Sequence, residues 1–190
     1  MEIRTLDERD EVAFRAFQDL LLAEKASGNA FIETKKVTDF SAFVQKSRAL
    51  ETHTGNPDWS TVTTYYAFDQ GDILGKISCR WELDKGDLAS VGGHIGYVTS
   101  PKYRQKGIMT AFVTFALSKY RERGVTSILV TANKQNIASR KTIEKVGGRL
   151  EKSLQLPDDY PSPHMAGQTI TRYWIDLDES LLELNPDSHV

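Results

Sequence analysis

Ser100-Pro101-Lys102-Tyr103-Arg104-Gln105-Lys106-Gly107-Ile108-Met109-Thr110 is the turn on which the reading of the fold depends. Ahead of it, Ile95-Gly96-Tyr97-Val98 has the length and apolar composition of a strand. Behind it, Ile108, Phe112, Phe115, Ala116 and Tyr120 recur at three- and four-residue spacing, so a helix follows. A strand, a glycine turn and a helix together present free backbone N–H groups and the positive end of a helix dipole to an anion, most often a phosphate. The turn lacks the Gly-Lys-Ser/Thr ending of the ATP-binding loop and the three-glycine dinucleotide fingerprint.

Working outward, Ser127-Ile128-Leu129-Val130-Thr131 reads as a buried strand. Asn133-Lys134-Gln135-Asn136 leads from it into a helix from Ile137 to Val146, stopped by Gly147. The helix after Gly107 supplies the crossover that parallel pairing requires, so the sheet is expected to be antiparallel early and partly parallel at the phosphate turn.

Arg104, Gly107 and Met109 resemble motif A of the GNAT superfamily of acetyltransferases, with Met109 standing where a small residue is usual. Asn136, Ser139 and Gly147 resemble its motif B, and Ile143 stands where members commonly carry a Tyr that acts as general acid. Gly92-Gly93-His94-Ile95-Gly96-Tyr97, with Asn136 to Glu144, is similar to a bacterial branch of predicted acetyltransferases. The resemblance implies an α/β (α+β) fold, a mixed central sheet of about six to seven strands flanked by about four helices. It also implies acetyl-CoA as co-substrate. The residues it assigns to that ligand are Tyr97, Val98 and Thr99 on the splayed strand, Arg104, Gln105, Lys106, Gly107, Ile108, Met109 and Thr110 in the turn, and Asn133, Asn136 and Ser139 beyond it. Asn136 also reads as a helix N-cap.

Charge points the same way without the resemblance. Residues 101–145 hold ten Lys or Arg and two acids, net +8, which leaves −10 for the rest of a chain whose total is −2. A local positive field in an acidic protein suits a small polyanion better than nucleic acid, which calls for a domain-wide basic surface. Lys119, Arg121 and Arg123 are read instead as a solvated helix face.

The 190 residues fit one domain, expected over 1–178 with a polar tail over 179–190. A 39% hydrophobic and 26% charged composition belongs to ordinary globular chains rather than disordered or membrane ones. The single Cys79 permits no internal disulfide, and no apolar run approaches membrane-spanning length, so a cytoplasmic protein is expected, monomer or homodimer. No metal is expected, because His53, His164 and His189 are scattered among loops and tail with no ligand spacing.

In order along the chain, Ile3 to Leu6 reads as a short strand, Glu8 to Glu24 and Asp39 to Leu50 as helices. Thr61 to Phe68 and Ile73 to Trp81 flank the hairpin turn Asp69-Gln70-Gly71-Asp72. Arg149 to Leu156 and Thr169 to Leu177 read as closing strands around a proline-rich loop from Pro157 to His164.

Acetyl transfer to an amine needs a neutral amine, a polarised carbonyl and a proton for the departing thiolate. His94 is the expected base, with a packed structural histidine as the competing reading. A free amide at Tyr97 to Thr99 is the expected polarising group, and Tyr97 or Tyr173 the expected proton donor, each equally readable as packing. Arg80 and Trp81, with Asp158 and Asp159, are candidates to face the acceptor, the two carboxylates reading first as solvated loop residues, and Cys79 reads as core. The leading function is transfer of an acetyl group from acetyl-CoA to a primary amine by direct attack. The competing classes are a non-catalytic acyl-CoA-binding or sensing domain and a nucleotide-phosphate binder.

Overall fold

The computed structural model of the chain describes residues 1–162 and 165–177. The tail expected over 179–190, with His189, and the loop residues Pro163 and His164 lie outside that range. Among the described residues the order is β1 (Glu2–Arg4), α1 (Glu11–Ala26), α2 (Phe40–Ala49), β2 (Val62–Asp69), β3 (Asp72–Arg80), β4 (Ile95–Thr99), α3 (Ile108–Glu122), β5 (Ser127–Asn133), α4 (Ile137–Lys145), β6 (Arg149–Gln155) and β7 (Thr169–Asp176). This is the α/β class expected, with seven strands and four α-helices.

Local chemistry explains most boundaries. Asp39 and Asn136 accept from Ala42 N–H and Ser139 N–H and so start α2 and α4. Gln70 at φ 48° and Gly71 at φ 88° close the β2–β3 hairpin in the left-handed region its tight turn needs. Apolar stripes then pack two cores. One lies between β2–β3 and α1–α2, around Phe14, Phe17, Val44 and Tyr66. The larger lies under α3, around Ile77, Cys79, Phe112, Tyr120, Ile128 and Tyr173. Cys79 is fully buried in it, and burial pushes its thiol up to about 12, as a core cysteine requires.

The strands form two antiparallel sheets, ordered β1-β2-β3-β4 and β5-β7-β6. The expected parallel ladder between β4 and β5 does not form. The bonds Ser100 N–H to Leu74 O and Arg80 N–H to His94 O turn the even-numbered residues of β4 toward β3. Those from Lys134 N–H to Thr169 O and Leu177 N–H to Thr126 O turn the even-numbered residues of β5 toward β7. Tyr97 and Thr99 therefore face Thr131 and Asn133 across a gap. The two strands are bridged at the closed end of the gap, where His94 N–H donates to Leu129 O at 2.8 Å, Leu129 N–H donates to His94 Nδ1 at 2.9 Å and Thr131 Oγ1 donates to Val91 O at 2.6 Å.

Gly93 sets the closed end. At φ 66° its backbone lies so close to β5 that a Cβ would sit 2.9 Å from Leu129 O and 3.3 Å from Thr131 N. A π-helical turn over Leu88–Gly92 delivers the chain to that contact. Tyr120 of α3 completes it, its hydroxyl shared between Arg80 O at 2.8 Å and His94 O at 2.9 Å, where β4 leaves the ladder.

Candidate active site

The gap between β4 and β5 opens into a cleft of about 540 Å³. Its walls come from β3 (Lys76, Ser78, Arg80), β4 (Ile95 to Val98), β5 (Thr131 to Asn133) and the start of α4 (Asn136, Ser139), with Ala30, Phe31 and Glu33 from the segment after α1. Strand alternation places Lys76, Ser78 and Arg80 on one face of β3, opposite the face that buries Ile77 and Cys79.

Of the residues singled out from the sequence, Arg80, Tyr97, Val98, Asn133, Asn136 and Ser139 meet in this cleft. The N–H groups of Tyr97 and Thr99 point into the gap and find no acceptor among the described residues. Tyr97 reaches across it, its hydroxyl 2.8 Å from Ser139 Oγ and 3.1 Å from Ser139 O. Burial pushes that phenol up to about 12, so it holds its proton at neutral pH. Asn133 is engaged on both sides of its amide, donating to Gln168 Oε1 at 2.9 Å and accepting from Gln135 N–H at 2.8 Å. Asn136 caps α4 through its oxygen and lines the cleft.

Two residues beyond Val98 the chain enters the glycine turn. Gln105 at φ 63° and Gly107 at φ 74° curl it into α3. The N–H groups of Gly107, Ile108, Met109 and Thr110 have no acceptor among the described residues, leaving the helix start as a row of free donors. Met109 turns its side chain into the core toward Gly75, so its bulk leaves the row open. Ser100 Oγ, buried at the junction of strand and turn, has no hydrogen-bond partner among the described residues. Arg104 forms an ion pair with Glu24 of α1, which holds that carboxyl below the usual range. Lys106 lies 5.4 Å over the Tyr103 ring, whose hydroxyl donates to Asp72. A pyrophosphate-bearing pantetheine thioester fits such a run of unused amides along one strand edge and helix start.

His94 and Tyr173 are not among the cleft-lining residues. His94 is 6% exposed, stacked edge-on against Tyr120, with Nδ1 occupied by Leu129 N–H. Burial lowers its pKa, and the nearby Arg80 lowers it further. A ring nitrogen that accepts a hydrogen bond is unprotonated, which places the ring proton on Nε2. Tyr173 is fully buried, and its hydroxyl accepts from Arg140 Nε at 2.9 Å and donates to Glu144 Oε1 at 3.0 Å. Ile143, 0% exposed, fills the core with no hydroxyl to offer. Trp81 packs on Tyr120 and under Arg123. Lys76 and Ser78 went unnoticed in the sequence, although their two-residue spacing to Arg80 was the available signal.

The acetyltransferase (GNAT) family model matches residues 31–148, a span that contains the turn, the gap and α4. The chain belongs to this acetyltransferase family. As a GNAT N-acetyltransferase it is an acyltransferase with acetyl-CoA as co-substrate. Solved structures share its fold. One is a Salmonella typhimurium acetyltransferase that modifies the N-terminal serine of ribosomal protein L7/L12, at TM-score 0.66 and 20% identity, covering 93% of this chain and 94% of that one. Another is the Salmonella typhimurium protein yncA with acetyl-CoA, at 0.61 and 16%, covering 99% and 98%. A third is the microcin C7 self-immunity acetyltransferase MccE with acetyl-CoA and AMP, at 0.63 and 20%, covering 92% of each chain. Comparison with curated proteins gives no match.

Proposed function

We propose that this GNAT protein transfers an acetyl group to a primary amine by direct attack in the cleft between β4 and β5. The observation that carries the reading is the gap itself, with the unpaired amides of Tyr97 and Thr99 facing it and the free N–H row of Gly107 to Thr110 beyond. Acetyl-CoA supplies an activated acyl carbonyl. The amides hold and polarise that carbonyl, and they need no reorganisation to do so. The turn holds the phosphates chiefly through backbone, because Arg104 is already paired with Glu24.

Tyr97 is the proposed proton donor to the thiolate. It lines the cleft, keeps its proton, and brings a hydroxyl to Ser139 on the helix where Ile143 supplies none. Lys76, opposite Val98 in the β3–β4 register, favours the neutral form of an incoming amine by its charge. His94 serves as the bridge that closes the gap at Leu129. Cytoplasmic location and a bacterial source accord with the single buried Cys79 and the bacterial solved relatives, and no described helix is long and apolar enough to cross a membrane. Action as a single domain, in one or two copies and without nucleic acid, completes the reading.

The experiment is release of free thiol on mixing the protein with acetyl-CoA and a panel of amines. Amine-dependent release carries the reading. Binding of CoA with no amine-dependent release across the panel returns the protein to the sensing class, which the absence of a hydroxyl at Ile143 favours.

A further inference from the structure

We propose that the acceptor amine carries an oxyanion group, a carboxylate or a phosphate, and that Arg80 binds it on the floor of the cleft. This names the substrate class of the proposed transfer site and rests on that reading. Arg80 ends β3 on the face that lines the cleft, and its guanidinium lies over Gly96 of β4. A Cβ at Gly96 would stand 3.2 Å from Nη2, so the missing side chain makes room for the fork. Nη1 donates to Gly93 O at 3.2 Å and to Gly92 O at 3.4 Å, which fixes the plane of the group. Nε and Nη2 have no acceptor among the described residues, and Arg80 forms no ion pair with any of them.

A guanidinium in a partly desolvated wall is costly unless something pairs with it. The two acids of the lining do not do so at hydrogen-bonding distance. Glu33 and Asp87 are exposed at the rim, and Asp87 accepts from the Tyr160 hydroxyl at 2.6 Å. The side of the fork left open, Nε and Nη2, matches the two oxygens of a carboxylate or phosphate in bidentate geometry. The same β3 face carries Lys76 four residues earlier, roughly 13 Å away at strand rise, so Lys76 serves a different part of the substrate. The floor cation suits the anion of such a substrate. A neutral amine would leave the Arg80 fork desolvated and unpaired, which is the arrangement that discriminates most strongly between substrates.

The test uses matched pairs: glycine and glycinamide, γ-aminobutyrate and its amide, aminoethyl phosphate and ethanolamine. Each is assayed for thiol release with acetyl-CoA, and each is titrated by calorimetry into the protein saturated with CoA. Wild type, Arg80→Gln and Gly96→Ala are compared, the last moving the fork while keeping its charge and serving if Arg80→Gln does not fold. The expected result is that the acidic member of at least one pair binds and reacts about 10- to 100-fold better, as a charge-assisted bidentate contact provides. That preference collapses to within about threefold in either variant, with CoA affinity unchanged. The carboxylate and phosphate arms report which anion fits. Equal treatment of all pairs, or a preference that survives in both variants, overturns the inference and leaves the transfer reading standing. Failure of the wild type to bind CoA at all removes the transfer reading and the inference with it.

Discussion

His94 and Tyr97 stand three residues apart, and their surroundings assign them opposite duties. The His94 ring substitutes for a missing ladder bond: its Nδ1 accepts from Leu129 N–H, and the ring is buried. Its folded pKa is depressed, chiefly by burial, so the unfolded chain takes up the proton first as pH falls below about 6.5. Stability from this group is complete above that value and is lost as pH drops through the window between the unfolded and folded pKa. Denaturant titrations are expected to show the wild type losing stability below about pH 6.5 more steeply than His94→Ala, with the variant weaker by about 1–3 kcal/mol at neutral pH. Parallel slopes for the two proteins would contradict the bridging role, whereas a 10²-fold loss of turnover with unchanged stability would return His94 to the role of base. Tyr97→Phe removes one hydroxyl and little volume. Its expected effect is a fall in kcat of about 10²-fold with acetyl-CoA affinity nearly intact, and a wild-type kcat would exclude Tyr97 as proton donor.

At the level of elements, two glycines hold the cleft in shape by different means. Gly93 is wedged against β5, and Gly93→Ala adds both a left-handed strain and a contact at 2.9 Å with a backbone oxygen. A loss of about 2–4 kcal/mol in unfolding titrations is expected, and a loss below about 1 kcal/mol would mean the two strands are not in register as described. Gly107 is in open space, with nothing within 4 Å of a Cβ, so its constraint is conformational alone. Gly107→Val is therefore expected to weaken CoA binding through the helix start, and more than Lys106→Ala, whose side chain rests on Tyr103. Calorimetry giving the reverse order would show that side-chain charge, not backbone, holds the phosphates. The strand, turn and helix at 95–122, the β2–β3 hairpin and the closing strands were all legible in sequence, because each rests on local periodicity and turn chemistry. The separation of β4 from β5 was implied only by the family resemblance, which gave a splayed strand with a free amide at Tyr97 to Thr99, and not by the chain's own periodicity. It depends on Gly93 lying against Leu129 and on His94 reaching it, contacts between residues more than thirty positions apart that periodicity does not encode. Separation in sequence likewise hid the Arg140 and Glu144 partners of Tyr173 and the Glu24 partner of Arg104.

Across the whole molecule, the charge division read from the sequence takes on a place. The basic span 101–145 comprises the turn, α3, β5 and α4, of which β5 and the start of α4 line the cleft. Its cations are partly spent on protein partners, Arg104 on Glu24 and Lys119 on Glu122, which is why the proposal gives the specific recognition to the unpaired amides. Binding of acetyl-CoA should raise stability by mass action, about 2.7 kcal/mol at a hundredfold excess over Kd. The most direct measurement of the central claim is amide hydrogen exchange with and without CoA. Tyr97, Thr99 and Gly107 to Thr110 are expected to exchange freely in the unliganded protein and to become protected on binding, while Val98, already turned toward β3, changes little. Protection confined to other segments, or none at saturating CoA in a folded sample, would contradict the account.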